Sequence, residues 1–131
     1  MISRDELRRI ARARLRDAEV LLAAGRHDGD AYLCGYAIEL ALKHRICRTL
    51  KWMEFPSTRS EFDDYRSFQT HKLNVLLRLS GINERIRRAY AAQWMVVESW
   101  DPESRYNPIG TIDRRQTSDL IEATRQLLRA I

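Results

Sequence analysis

The sequence predicts an all-α fold, an up-and-down bundle of about five helices in one domain over residues 1–131. Three observations lead there. Apolar residues recur every three or four positions along most of the chain, the period of a helix with one buried face. Five glycines and three prolines are too few for the many tight turns of a sandwich or barrel. One stretch, Ala31–Leu42, is apolar almost all round, as a helix is when other helices surround it. With 44% apolar and 31% charged residues, the chain has an ordinary globular balance. Its length suffices for a core without metal or disulfide staples.

The first helix opens at Ser3, and Ser3 followed by Glu6 has the form of a capping box. Leu7, Ile10, Ala11, Leu15, Ala18, Leu21 and Leu22 keep helical spacing up to Gly25, a natural stop. Arg8, Arg12 and Arg16 recur every fourth residue and share one face, which reads as solvated before it reads as a binding surface.

The second helix starts near Asp28–Asp30 and runs to about Leu50. Gly35, Ala37 and Ala41 are small and permit close helix approach. Glu39 is a carboxylate among apolar neighbours, and a buried charge needs a partner. Lys43, one turn later, is the nearest cation, and the two form the expected structural ion pair. Arg105 is a more distant alternative.

Lys51–Thr70 has no sustained period and reads as a long loop, pinned to the bundle by Trp52, Phe55, Phe62, Tyr65 and Phe68. The third helix begins at His71 and runs to Leu79, ended by Ser80-Gly81. The fourth spans about Asn83 to Val97, with Trp94 on its inner face, and Asp101-Pro102 breaks the pattern. Asp101–Arg115 reads as irregular. Thr117 or Ser118 is the expected cap of the last helix, whose apolar side carries Leu120, Ile121, Leu127 and Leu128.

The formal net charge is +5, carried by twenty arginines against three lysines. The planar guanidinium suits two-point recognition of phosphate and carboxylate, so the balance invites an RNA or nucleotide partner. A GC-rich coding sequence produces the same bias without any ligand. Cys34 and Cys47 fall within apolar helical patterns and read as reduced core residues of a cytoplasmic protein. The N-terminus is charged from Arg4 and has no apolar core, so neither a signal peptide nor a membrane span is expected. No Cys-x-x-Cys and no histidine pair at i,i+4 suggests a metal site, no glycine-rich phosphate loop occurs, and no cofactor is expected.

The order of landmarks resembles the HEPN family (higher eukaryotes and prokaryotes nucleotide-binding). Asp17-Ala-Glu-Val-Leu-Leu22 is followed by Gly25-Arg26. Gly35-Tyr-Ala-Ile-Glu39-Leu-Ala-Leu-Lys43 is similar to the family's A-x-E-x-x-L-K core. His71-Lys-Leu73 followed by Leu76-Leu77 resembles H-x-L-x-x-L-L, and Trp94, Trp100 and Arg105-Tyr106 look like the family's late aromatic and Arg-Tyr pair. The resemblance covers roughly residues 14 to 130. It implies a helical bundle, often a homodimer, at work in bacterial antiviral defence or toxin–antitoxin systems, often beside a nucleotidyltransferase-like protein partner.

Many members of that family are metal-independent ribonucleases that assemble an Arg-x(4–6)-His motif across a dimer, and others are binding modules without it. Arg66-Ser-Phe-Gln-Thr-His71 fits the spacing. In such a site the histidine moves the proton of the 2′-hydroxyl or of the leaving oxygen, and the arginine steadies the scissile phosphate. In a chain so rich in arginine the spacing also arises readily by composition. Ser67 and Leu73 depart from the ribonuclease pattern. Arg105, Tyr106, His44 and Arg45 are further candidate ligand contacts. Arg105 could instead hold Glu39, and His44, in a basic neighbourhood, could touch phosphate or merely pack. Three functions stay open: a HEPN-like module binding a nucleotide, RNA or a partner protein; a ribonuclease using Arg66 and His71; and a structural oligomer without a ligand.

Overall fold

The computed structural model describes every residue from Met1 to Ile131, and its class is all-α, with six α-helices and one two-residue strand pair. Helices α1 (Arg4–Ala23) and α2 (His27–Leu50) run back along each other through the turn Ala24–Arg26. Ser3 Oγ accepts the Glu6 N–H at 3.1 Å, but the Glu6 carboxylate lies 3.7 Å from Arg9, so Ser3 supplies its half of the expected box. Gly25 takes the left-handed conformation that lets the chain turn, φ +73°.

α2 is the centre, as its composition demands. Cys34, Ala37, Ile38, Leu42, Ile46 and Cys47 are all fully buried, and α2 touches α1, α3 and α6. Each large apolar side chain buried there contributes about 1.5–3 kcal/mol. Gly35 is the point of closest approach: a Cβ there would stand 2.1 Å from the Trp100 indole, so the ring lies directly on the α2 backbone.

The 51–70 segment is more ordered than its lack of period suggests. α2 ends at Lys51, which takes left-handed φ +58°. The chain then returns as β2 (Glu54–Phe55), antiparallel to β1 (Ile2–Ser3), with Ile2 opposite Phe55. Two short 3-10 turns follow, Ser60–Phe62 and Arg66–Phe68. Trp52 anchors them, its ring 5.1 Å from both Tyr65 and Phe68, while Phe55 and Phe62 stand 6.0 Å apart.

Several boundaries differ from the sequence expectation. The third helix, α3, spans Leu73–Leu79, so His71 lies in extended chain before it rather than inside it. The expected fourth helix is two, α4 (Asn83–Ala89) and α5 (Ala91–Val97), because Tyr90 leaves helical geometry at φ −129°. The break lets Trp94 turn inward, where it is 1% exposed and donates from Nε1 to Asn74 Oδ1 at 2.9 Å. Pro102–Tyr106 forms a 3-10 turn within the stretch expected to be irregular. The last helix, α6, spans Arg114–Ala130 and is capped by Asp113 through a reciprocal box with Gln116. Thr117 is therefore an interior residue, fully buried, its hydroxyl on the backbone oxygens of Asp113 and Arg114. No helix is long and apolar enough to cross a membrane.

Candidate functional site

Glu39 is 2% exposed on the inner face of α2. Its Oε1 accepts from Lys43 Nζ at 2.7 Å, the expected i,i+4 partner. The second partner is His71, whose Nδ1 is 2.8 Å from the same oxygen. Arg105, the alternative holder of Glu39, does not form that bond. Its guanidinium lies 4.8 Å from the centre of the Tyr106 ring.

A carboxylate only accepts hydrogen bonds, so His71 Nδ1 carries the proton toward Glu39, and in the neutral ring Nε2 keeps its lone pair. The His71 side chain is 66% exposed, whereas its carboxylate partner is buried. An imidazole fixed from one side by a buried carboxylate and open on the other is the arrangement that orients a histidine for proton transfer or for gripping an anion.

This histidine stands in a cleft of about 490 Å³ whose walls include Tyr32, Tyr36, Trp100, Lys72 and Arg105. Tyr32 and Trp100 are tilted rings 6.0 Å apart. The Trp100 Nε1–H is buried without a hydrogen-bond partner. Lys43 lies 5.6 Å from the centre of the Phe55 ring, which fixes its stem beside Glu39. The cleft thus offers Lys72 and Arg105, an oriented imidazole and aromatic faces together, with the carboxylates of Asp101 and Glu103 also in its walls.

Other sequence-predicted residues lie apart. Arg66 is in the second 3-10 turn, 81% exposed, 3.8 Å from Asp63, and does not line the His71 cleft of its own chain. Tyr106 is 72% exposed, on the rim beside Arg105. His44 is only 8% exposed and donates from Nδ1 to the Arg4 backbone oxygen at 2.7 Å. Burial holds its pKa below the ordinary histidine value, despite that bond, and Arg48 and Arg8 add to the lowering. Arg45 lies in a like-charged setting with Arg48 and Arg85, its Nε buried without a partner. His27 opens α2, its Nδ1 3.2 Å from Thr117 Oγ1.

Sequence reading missed two arrangements. One is the His71–Glu39 bond, whose only signal was the need of a buried carboxylate for more than one donor. The other is a buried polar cluster between α2 and α6. There Asp30 is fully buried, its Oδ1 accepts the Cys34 thiol at 3.6 Å, and its Oδ2 has no partner. Burial raises the Asp30 carboxyl to about 6. No group of three or more His, Cys, Asp or Glu side chains converges as a metal site would require. No family model matches the chain, and no curated protein or solved structure gives a match.

Proposed function

We propose that the chain is a HEPN-like binding module of a bacterial defence or toxin–antitoxin system, and that its His71 cleft takes a nucleotide or RNA. The observation that carries this reading is the 2.8 Å bond from solvent-open His71 to buried Glu39. It presents an oriented imidazole beside cations for phosphate and rings for a base. The ordered sequence landmarks support the family assignment and, with it, a nucleotidyltransferase-like protein partner. The test is binding of adenine nucleotides and short RNAs, read by quenching of tryptophan fluorescence. Binding that weakens about tenfold or more in His71→Ala and Trp100→Phe supports the reading. Unchanged binding in both variants, or no binding by the wild type, rejects it.

The free Nε2 of His71 also favours a second reading, metal-independent RNA cleavage across a homodimer. Because Arg66 lies outside the cleft of its own chain, the arginine would come from the partner copy. Incubation with RNA in EDTA distinguishes the two readings. Cyclic-phosphate ends that vanish in both His71→Ala and Arg66→Ala establish cleavage, and intact RNA leaves the binding module.

A further inference from the structure

On the far side of α2 from Glu39, a second concavity brings together arginines from three helices. Arg8 and Arg12 come from α1, Arg48 from α2 and Arg129 from α6, around a groove of about 330 Å³. His44 and Arg48 lie roughly 140–180° round the helix from Glu39, so this groove and the His71 cleft open on opposite faces.

The chain's own carboxylates act on these four cations only from outside the lining, as Glu122 does on Arg129. No Asp or Glu side chain lines the groove. None of the four takes part in any of the ion pairs of the protein, although Arg9, Arg14, Arg66 and Arg125 all do. The Ile131 terminus lines the groove and forms no ion pair with them. Asp5 acts on His44 from outside the lining.

Folding therefore draws four like charges from three helices onto one hollow. That costs Coulomb energy unless an external anion repays it. Besides His44 and Ile131, the lining is completed by apolar Ala11, Ala41 and Leu128, which strengthen a charge interaction made against them. Beside Arg48, burial lowers the Arg45 pKa from its ordinary value, and like-charge repulsion from Arg48 and Arg85 adds to the lowering.

We propose that the groove of Arg8, Arg12, Arg48 and Arg129 binds the phosphates of a nucleic-acid strand, as a site separate from the His71 cleft. Four forked guanidiniums around so small a hollow match closely spaced phosphate oxygens. The carboxylates of an acidic protein, one to a side chain and spread over a surface, do not supply that charge density. The contacts are to backbone phosphate, so the site holds a strand without reading its bases.

The test is titration of the full chain with a labelled single-stranded RNA, the DNA of the same sequence, and polyglutamate, from about 50 to about 200 mM salt. Arg12→Gln/Arg48→Gln keeps both exposed stems, and thermal melting checks that it folds. It should weaken oligonucleotide binding about tenfold and lower the salt slope by about 1.4, two single-strand phosphate contacts. Arg59→Gln/Arg88→Gln, which removes the same charge from exposed positions outside the groove, should leave affinity within about twofold. Preference for RNA over DNA, or none, is compatible, because the shared chemistry is the phosphodiester. Four results overturn the proposal: no oligonucleotide binding, equal binding of polyglutamate, an equal loss in the two double variants, or a loss confined to His71→Ala. The last would leave the His71 reading standing while removing this one.

Discussion

His71 and Glu39 are separated by thirty-two positions in sequence, yet His71 Nδ1 rests 2.8 Å from Glu39 Oε1. One partner is almost wholly buried and the other is open to solvent. Replacing Glu39 with Gln keeps the shape but removes the charge that Lys43 and His71 share. The variant should lose about 1–3 kcal/mol of stability in urea unfolding. Nitrogen NMR of the ring offers the sharper check. Wild-type His71 should hold its proton on Nδ1 when neutral, and Glu39→Ala should release that tautomer. An unchanged ring spectrum would falsify the orienting role.

Asp30 supplies a pH signature. Its folded carboxyl titrates at about 6, above the ordinary value of 3.8, because burial penalises the charged form. Below about pH 4 the carboxyl is protonated in both folded and unfolded chains and costs nothing. Between pH 4 and 6 the native state holds a proton that the unfolded chain has lost, so stability falls as pH rises and then levels off. The fall is at most about 3 kcal/mol. Unfolding free energies across that window should show it, and Asp30→Asn should flatten it.

Lys51 closes α2 at φ +58°, a conformation that costs an L-residue about 1–2 kcal/mol. Glycine adopts it freely but loses about 0.5–1 kcal/mol of chain entropy. Lys51→Gly should therefore raise stability by about 0.5–1 kcal/mol, measured as a higher denaturation midpoint with an unchanged slope. No gain would mean that the lysine stem contributes packing of its own.

The cap of α6 separates the sequence expectation from the structure. Asp113 accepts the Gln116 N–H at 2.8 Å, and Gln116 Oε1 accepts the Asp113 N–H at 2.9 Å. Asp113→Ala should cost about 1 kcal/mol. Ser118→Ala, at one of the positions expected to cap, should change stability by less than about 0.5 kcal/mol. The reverse order in thermal melting would restore the sequence assignment.

Cys34 and Cys47 are fully buried free thiols, and burial is the main reason both titrate high, at about 12 and about 11. Alkylation requires the thiolate. Neither should react with iodoacetamide in the native protein at pH 8, and both should react in urea, as mass spectrometry would record.

What could be read from residues alone was the local part. The all-round apolar character of Ala31–Leu42 marks the central helix, and the four-residue step from Glu39 to Lys43 places an ion pair before any tertiary contact is known. The His71 bond could not be read this way. It depends on the 51–70 segment folding back through the Trp52 cluster and the Ile2–Phe55 pairing, contacts that have no period. Arg8 and Arg12 were visible as a stripe, but only docking of α2 and α6 adds Arg48 and Arg129 to make a groove. Asp113 escaped because a charged run, Asp113-Arg114-Arg115, hides a cap as readily as it shows one.

The indole seated on Gly35 is a party wall. Trp100 lines the His71 cleft on one side and, on the other, a larger hollow of about 550 Å³ reaching Asn107, Ile112 and Leu120. Tyr32 and Arg105 line both hollows as well, so a displaced indole would reshape the two compartments together. Gly35→Ala would force that displacement, because a methyl group and the indole cannot share the same 2.1 Å.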